Sequence, residues 1–216
     1  MKNKKNICSI SHQVSLLIMI IMVFSFNSFA DYSNHDKSRE VINELVDIHG
    51  FEESFVIEVL KNAKKRNEML ISVANPAEKT KTWDEYKAIF LEKKRIANGK
   101  KFIKENIKTL ERAEKEFGVP KEVITAILGV ETRYGRIMGR FRVIDSLATL
   151  GFDDPRRSKF FRSELIQFFL LTRENNIDIL ETRGSYAGAM GYGQFISSSY
   201  RAYAIDYDGD ENADLF

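Results

Sequence analysis

Residues 123–135 read Val-Ile-Thr-Ala-Ile-Leu-Gly-Val-Glu-Thr-Arg-Tyr-Gly and have the apolar spacing of a helix. Pro120 suits the first turn of that helix, because proline lacks an N–H and has a fixed φ. One arc of the helix is apolar and comprises Val123, Ile124, Ile127, Leu128 and Val130. The opposite side carries Lys121, Glu122, Thr125 and Gly129. We therefore predict that the apolar arc packs against the core.

Glu131 stands at the C-terminal end of this apolar arc. It follows Ile127 by four residues, so it extends the arc rather than the polar side. Burial disfavours a charged carboxylate, and the negative end of the helix dipole acts in the same direction, so both effects favour the protonated acid. A protonated carboxyl group is what a general acid needs near neutral pH. The alternative is a structural glutamate paired with Arg133, Arg136 or Arg140.

The first 30 residues have the features of a secretory signal. The chain begins with basic residues, an apolar run spans residues 14–26, and the small residues Ser28 and Ala30 follow. We expect cleavage after Ala30 and an exported, periplasmic protein, with an uncleaved anchor as the alternative. Cys8 precedes the apolar run, so no lipoprotein signal is expected.

Composition limits the class of partner. The chain has 216 residues, of which 33 are basic and 31 acidic. Without the first 30 residues the balance is nearly neutral, which gives no argument for nucleic acid or an anionic membrane as a partner. The only cysteine also lies in that segment, so no disulfide is expected. Residues 31–216 are enough for one core.

Helical periodicity runs through nearly all of the remaining chain. Gly50 and Gly118 are placed to end helices, and Thr82 with Glu85 forms a capping box that opens another. A long apolar stripe over residues 103–117 predicts one continuous helix. No segment alternates with a period of two, so we predict a mainly α fold.

Residues 184–195 read Gly-Ser-Tyr-Ala-Gly-Ala-Met-Gly-Tyr-Gly-Gln-Phe, which is too rich in glycine for a regular helix. This segment, the glycine loop, offers hydroxyl groups, an amide and flat apolar surface, a set suited to holding a sugar. The residues concerned are Ser185, Tyr186, Met190, Tyr192 and Gln194. The lysine and Ser/Thr of a phosphate-binding loop are missing. The alternative is a glycine-packed turn between helices.

Three segments together resemble the membrane-bound lytic murein transglycosylase B family: residues 129–135, 155–157 and 184–195. The resemblance extends from about Trp83 to the last residue. It implies a lysozyme-like helical domain that cleaves the β-1,4 bond between N-acetylmuramic acid and N-acetylglucosamine in peptidoglycan. The implied binding partner is the peptidoglycan glycan strand, with other cell-wall enzymes as candidate protein partners.

The resemblance also implies roles for individual residues. Glu131 matches the single catalytic acid and base of the family, and Ser185 matches a serine placed near it. Gln194 and Tyr86 match residues of the sugar-binding groove. Met190 and Tyr192 complete the set of candidate substrate-binding residues.

The sequence offers no well-placed second carboxyl group, which agrees with a single catalytic acid. Most glycosidases use two carboxyl groups, but Asp145 lies on an ordinary helix, and Asp153 and Asp154 lie where they would cap the next one. In the family the muramyl 6-hydroxyl is the nucleophile, which gives a 1,6-anhydro product without hydrolysis. The residues alone leave attack by water, and hence a lysozyme-type hydrolase, open.

The last residues resemble an EF-hand calcium loop. Asp206, Asp208 and Asp210 occupy ligand positions one, three and five, Asn212 position seven, and Asp214 position nine. Oxygen ligands at this density favour Ca²⁺. Glu211 stands where the loop usually has glycine, and position twelve would fall after Phe216. We therefore expect an incomplete, structural site with no part in the chemistry, and the alternative is a solvated acidic tail.

The family pattern continues beyond Phe216, so we expect residues 31–216 to be a catalytic domain whose C-terminal part is missing. Ser197 stands where the family usually has proline, and Tyr134 where some members have tryptophan. The function is then either that of a lytic transglycosylase or that of a non-catalytic, peptidoglycan-binding remnant.

Overall fold

The computed structural model describes residues 31–75, 81–213 and 216. The predicted signal segment, residues 1–30, and Asp214 lie outside the described residues. The described part is mainly α, as predicted. Its α-helices are α1 Ser38–Asn43, α2 Glu53–Asn62, α3 Asn67–Ala74, α4 Trp83–Phe90, α5 Lys93–Glu105, α6 Ile107–Phe117, α7 Lys121–Thr132, α8 Val143–Asp153, α9 Ser158–Glu174 and α10 Ser197–Tyr203.

Shorter elements complete the described chain. A 3₁₀ turn, Tyr32–Asn34, precedes α1, and a π-helical turn, Glu44–Ile48, follows it. Strands β1, Phe141–Arg142, and β2, Arg183–Gly184, form one antiparallel pair. Strands of two residues are too short to show alternation, so they could not be predicted from periodicity.

Helices α8 and α9 form the centre of the core. Residues 143–152 are buried along their whole length, and α9 packs against both α8 and α10. The aromatic stripe of α9 supplies Phe161, Phe168 and Phe169, each almost fully buried. Among the described residues, the helices are all too short or too polar to cross a membrane.

Helix ends follow the predicted signals at most positions. Gly50 and Gly118 have left-handed φ values of 67° and 69°, which suits glycine at a helix end. The capping box is formed, since Glu85 N donates to Thr82 Oγ1 and Thr82 N donates to Glu85 Oε2. The single helix predicted over residues 103–117 is wrong, because α5 ends at Glu105. Asn106 interrupts it by donating its side-chain amide to the carbonyl oxygen of Phe102 at 2.9 Å.

Helix α7 buries the opposite face from the one predicted. Its buried residues are Thr125, Gly129 and Thr132. The apolar residues Ile127 and Val130 are 53% and 46% exposed. Small side chains let α7 approach α5 closely, and this close packing decides which face turns inward.

The start of α10 gives a stability test. Ser197 is the first residue of α10, its hydroxyl is buried without a hydrogen-bond partner in the described part of the chain, and Ile196 before it is extended. Ser197→Pro should therefore raise the free energy of unfolding by about 0.4–1 kcal/mol, measured by urea denaturation.

Ser198→Pro is the matched control. Its N–H donates to the buried carboxylate of Glu164 at 3.0 Å, so proline at position 198 should destabilise the fold. Equal effects of proline at positions 197 and 198 would show that the helix start is placed wrongly.

Candidate active site

Helix α7 ends in an unusual turn directly after Glu131. Arg133 and Tyr134 have left-handed φ values of 51° and 62°, and Gly135 follows at 76°. Arg133 N donates to the carbonyl oxygen of Leu128, five residues back, as in a Schellman-type helix end, and Tyr134 N donates to the same oxygen at 3.0 Å. Each non-glycine residue in this conformation costs roughly 1–2 kcal/mol. Surrounding contacts must therefore stabilise the turn.

The Tyr134 ring supplies such contacts. A Cβ atom added to Gly99 of α5 would lie 2.6 Å from Tyr134 Oη, and one added to Gly129 of α7 would lie 2.7 Å from it. The ring thus occupies space that both glycines leave free. Tyr134 Oη also donates to the carbonyl oxygen of Arg95 at 2.9 Å, and the ring lies 5.6 Å from that of Phe102. Tyr134 joins α5, α7 and the turn.

Glu131 lies on the exposed side of α7. It stands at the edge of a shallow groove of about 390 Å³ whose other lining residues are Glu122, Val123, Ala126, Ile127 and Val130. The prediction that Glu131 is buried is therefore wrong. In the described part of the chain, α7 turns its face of small residues inward and leaves Glu131 exposed. The alternative pairing is not found either, since among the described residues no ion pair joins Glu131 to a neighbouring arginine.

The glycine loop is fastened to the turn after Glu131. Thr132 Oγ1 donates to the carbonyl oxygen of Tyr192 at 3.0 Å and accepts from Gly135 N at 2.9 Å. Gln194 Nε2 donates to the carbonyl oxygen of Met138 at 3.2 Å. A Cβ at Gly135 would overlap the Tyr192 ring. These contacts place the glycine loop beside the end of α7.

Within the loop, Ser185 and the two tyrosines are accessible. Ser185 Oγ accepts from Ala187 N at 3.3 Å and from Ala189 N at 3.0 Å, so its own proton remains free to be donated. Tyr186 and Tyr192 are each 37% exposed. The Tyr192 ring offers flat apolar surface next to the turn, against Gly135.

Met190 does not belong to this surface. Its side chain is fully buried in the hydrophobic core, and its backbone pairs with Phe195 in an isolated bridge. The prediction that Met190 contacts the sugar is therefore wrong. A methionine in a glycine-rich segment fills a core gap as readily as it lines a surface, and the sequence does not distinguish the two.

Tyr86 is not joined to Glu131 by a described contact. Its ring lies 6.4 Å from Trp83 and 5.1 Å from Phe90, and all three residues are on α4. Gln194 is near the site, but its amide nitrogen is used within the loop, at 3.0 Å from the carbonyl oxygen of Gly191.

Nearby acids have structural partners. Asp145 is 1% exposed and accepts from Arg142 Nη2 at 2.6 Å and from Lys64 N at 2.9 Å. Asp153 accepts from the Tyr32 hydroxyl at 2.6 Å, and Asp154 accepts from Arg156 N at 2.9 Å in the turn before α9. Neither caps α9 as predicted, because its N-cap is Arg157. None of the three resembles a second catalytic carboxylate.

The C-terminal loop brings three acids together. One oxygen atom from each of Asp206, Asp208 and Asp210 lies within 4.8 Å of the others. Backbone hydrogen bonds, that from Gly209 first, lower the pKa of Asp206, so this carboxylate stays charged. Glu211 takes a left-handed φ of 72° at the position where an EF-hand has glycine. An oxygen-only donor set of this kind fits Ca²⁺.

A family profile described as "Transglycosylase SLT domain" matches residues 33–216. The chain belongs to this transglycosylase SLT domain family. It is 40% identical over 195 residues to the membrane-bound lytic murein transglycosylase B of Escherichia coli K12, covering 86% of this chain and 54% of that protein. The recognition of a lytic transglycosylase family from the sequence is confirmed.

Solved structures of lytic transglycosylases have the same fold. The catenated lytic transglycosylase SltB1 from Pseudomonas aeruginosa matches with a TM-score of 0.81 and 44% identity, over 86% of this chain and 61% of that one. The Escherichia coli lytic transglycosylase Slt35 in complex with calcium matches with a TM-score of 0.80 and 40% identity, over 86% and 59%. The chain thus spans little more than half the length of these relatives.

Thr132 and Tyr134 are site residues that sequence reasoning missed. A signal for Tyr134 was present, because Gly99 and Gly129 stand inside helices, where glycine costs about 1 kcal/mol relative to alanine. Such glycines indicate that another group approaches the helix closely. The sequence did not show which group this was.

Gly129→Ala should destabilise the fold by about 1–3 kcal/mol, because the added methyl group would collide with the Tyr134 ring. Urea unfolding of Gly129→Ala, Tyr134→Ala and the double variant measures this as a double-mutant cycle. The two changes should be clearly less than additive, since removal of the ring removes the collision. Strict additivity would contradict the contact.

Proposed function

We propose that this chain is a peptidoglycan lytic transglycosylase with Glu131 as its acid and base. The proposal depends on one observation: the Thr132–Tyr192 hydrogen bond holds the glycine loop against the end of α7. This bond brings the Tyr192 end of the glycine loop to the turn that follows the exposed Glu131. Membership of the transglycosylase SLT domain family supports the same activity.

Glu131 first gives its proton to the glycosidic oxygen, and the bond between that oxygen and C1 of N-acetylmuramic acid breaks. The resulting carboxylate then takes the proton of the muramyl 6-hydroxyl as that oxygen bonds to C1. The products are a 1,6-anhydromuramyl end and a free 4-hydroxyl on N-acetylglucosamine. Glu131 ends the cycle protonated, and no water is consumed.

The glycan itself supplies the dry environment that Glu131 lacks in the free chain. A sugar ring seated in the groove of Val123, Ile127 and Val130 would displace water from both the apolar surface and the carboxyl group. Burial favours the protonated form of a carboxyl group. Binding of substrate would therefore favour the protonated form of Glu131, which is the form that a general acid needs.

The glycine loop positions the sugar in this proposal. Ser185 can donate its hydroxyl proton to a substrate oxygen, and the Tyr186 and Tyr192 rings can stack on sugar faces. Gln194 acts chiefly by bracing the loop through Met138 and Gly191. Tyr86 stays a candidate for a more distant part of the groove.

Glu131→Gln tests the assignment of the acid. The change removes the transferable proton but keeps the shape of an exposed side chain, so release of anhydro ends from purified sacculi, measured by mass spectrometry, should fall by at least 10²-fold. The matched control is Glu116→Gln on α6, which is also exposed and should keep wild-type activity. Full activity of the Glu131 variant would disprove the assignment, and reducing ends in place of anhydro ends would indicate a hydrolase.

A second candidate is peptidoglycan binding without cleavage. The open position of Glu131 favours it. Retention on purified sacculi with no release of soluble muropeptides would support this candidate over the first.

We also propose that Asp206, Asp208 and Asp210 hold a structural Ca²⁺, with the carbonyl oxygen of Asn212 as a further ligand and Asp214 outside the described residues. The ion has no part in the chemistry. A relative solved in complex with calcium supports the proposal. Export to the periplasm, with other cell-wall enzymes as candidate partners, fits the peptidoglycan substrate.

Ca²⁺ at millimolar concentration should raise the unfolding temperature of the wild-type chain, because a ligand that binds only the folded state stabilises it. Asp208→Asn should reduce that rise, while Glu116→Gln should keep it. Isothermal titration with Ca²⁺ and with Mg²⁺ gives the selectivity. An unfolding temperature that does not respond to Ca²⁺ would count against the site.

A further inference from the structure

A separate cavity of about 280 Å³ adjoins the turn that follows Glu131. Four of its lining residues are cationic, namely Lys94 and Arg95 on α5 and Arg133 and Arg136 in the turn, whereas Glu92 is its only acidic lining residue. We call it the Arg95 pocket. A concave site with this excess of positive charge attracts anions.

Arg95 is the unusual member. Its side chain is only 8% exposed, and its Nε and Nη1 atoms are buried without a hydrogen-bond partner among the described residues. Leaving a buried charged donor unpaired is costly. A buried arginine is usually paired with a carboxylate, yet within the described chain Arg95 forms no ion pair.

The Arg95 guanidinium is also held in place. It lies 5.2 Å from the centre of the Phe90 ring, and the Tyr134 hydroxyl donates to the Arg95 carbonyl oxygen at 2.9 Å. A guanidinium whose N–H groups have no protein partner can donate charge-assisted hydrogen bonds to an anion in the pocket.

We propose that the Arg95 pocket binds a carboxylate of the peptide carried by the glycan, an inference that rests on the proposed function. The sugars of the strand are neutral where the lactyl group of N-acetylmuramic acid is amide-linked to the peptide. Free carboxylates in such a substrate therefore belong to the peptide.

Position supports this assignment. Arg133 follows Glu131 by two residues, so their Cα atoms lie at most about 7.6 Å apart. A peptide that branches from the muramyl residue held at Glu131 starts within one or two residues' length of the pocket. The same positive charge would pull the carboxylate away from Glu131 itself, which keeps the two acids apart.

The test uses the full chain carrying Glu131→Gln, which prevents turnover. Two synthetic disaccharide pentapeptides serve as probes, one with free peptide carboxylates and the other with carboxamides in their place. By isothermal titration, the carboxylate probe should bind about tenfold tighter, as expected for hydrogen bonds to a charged group. Equal affinities would overturn the proposal.

Arg95→Met and Arg136→Gln should each reduce this ratio of affinities toward one. Because Arg136 is exposed, Arg136→Gln should leave the fold intact. The test therefore stays valid even if loss of the buried Arg95 weakens the fold. Lys101→Met, on the same helix but paired with Glu105 outside the pocket, should leave the ratio unchanged. An unchanged ratio in both arginine variants would place the carboxylate elsewhere.

Inorganic phosphate tests the remaining explanation, that the pocket binds an anion other than the peptide carboxylate. If phosphate bound to the parent chain but not to Arg95→Met, and yet did not displace the carboxylate probe, the pocket would be a site for another anion and the peptide assignment would be wrong. Failure of the proposed function is a different result. It would appear as absence of anhydro ends from the chain with Glu131 intact, whatever the ratio between the two probes.

Discussion

The packing of the Tyr134 ring into the space left by Gly99 and Gly129 is the contact on which the site depends. It brings α5 and α7 together through their smallest residues, and so it fixes the rotation of α7 about its own axis. With the small face inward, Glu131 must point outward. The same ring holds the left-handed turn through which Thr132 reaches the glycine loop.

The fold could be predicted from the sequence as far as its signals are local. Capping residues and glycines at helix ends act on their own neighbours, so Gly50, Gly118 and the Thr82 capping box were placed correctly. Asn106 shows the limit, because one side-chain bond to Phe102 divides a stripe whose periodicity runs on. Periodicity measures the spacing of apolar residues and not the continuity of backbone hydrogen bonds.

The orientation of α7 could not be read from periodicity at all. An apolar stripe shows that a helix has two different faces, and burial of the more apolar one is the usual outcome. Here the close approach of α7 through Thr125 and Gly129 determines which face is buried. The burial predicted for Glu131 was therefore wrong, while its place at the helix end was right. The glycine loop shows the same division, since it lies beside the end of α7 whereas Met190 belongs to the core. Both errors concern the direction of a side chain, which depends on the partner across the contact.

The turn after Glu131 links three chemical environments through adjacent residues. Glu131 faces the apolar groove, Thr132 faces the glycine loop, and Arg133 faces the Arg95 pocket. The left-handed conformation of Arg133 and Tyr134 ends α7 at this point, so that Thr132 Oγ1 can accept from Gly135 N while it donates to the glycine loop. The energetic cost of that conformation is therefore tied to the site's geometry. A change that released the Tyr134 ring would relax the turn and disturb all three environments together, even if Glu131 itself stayed intact.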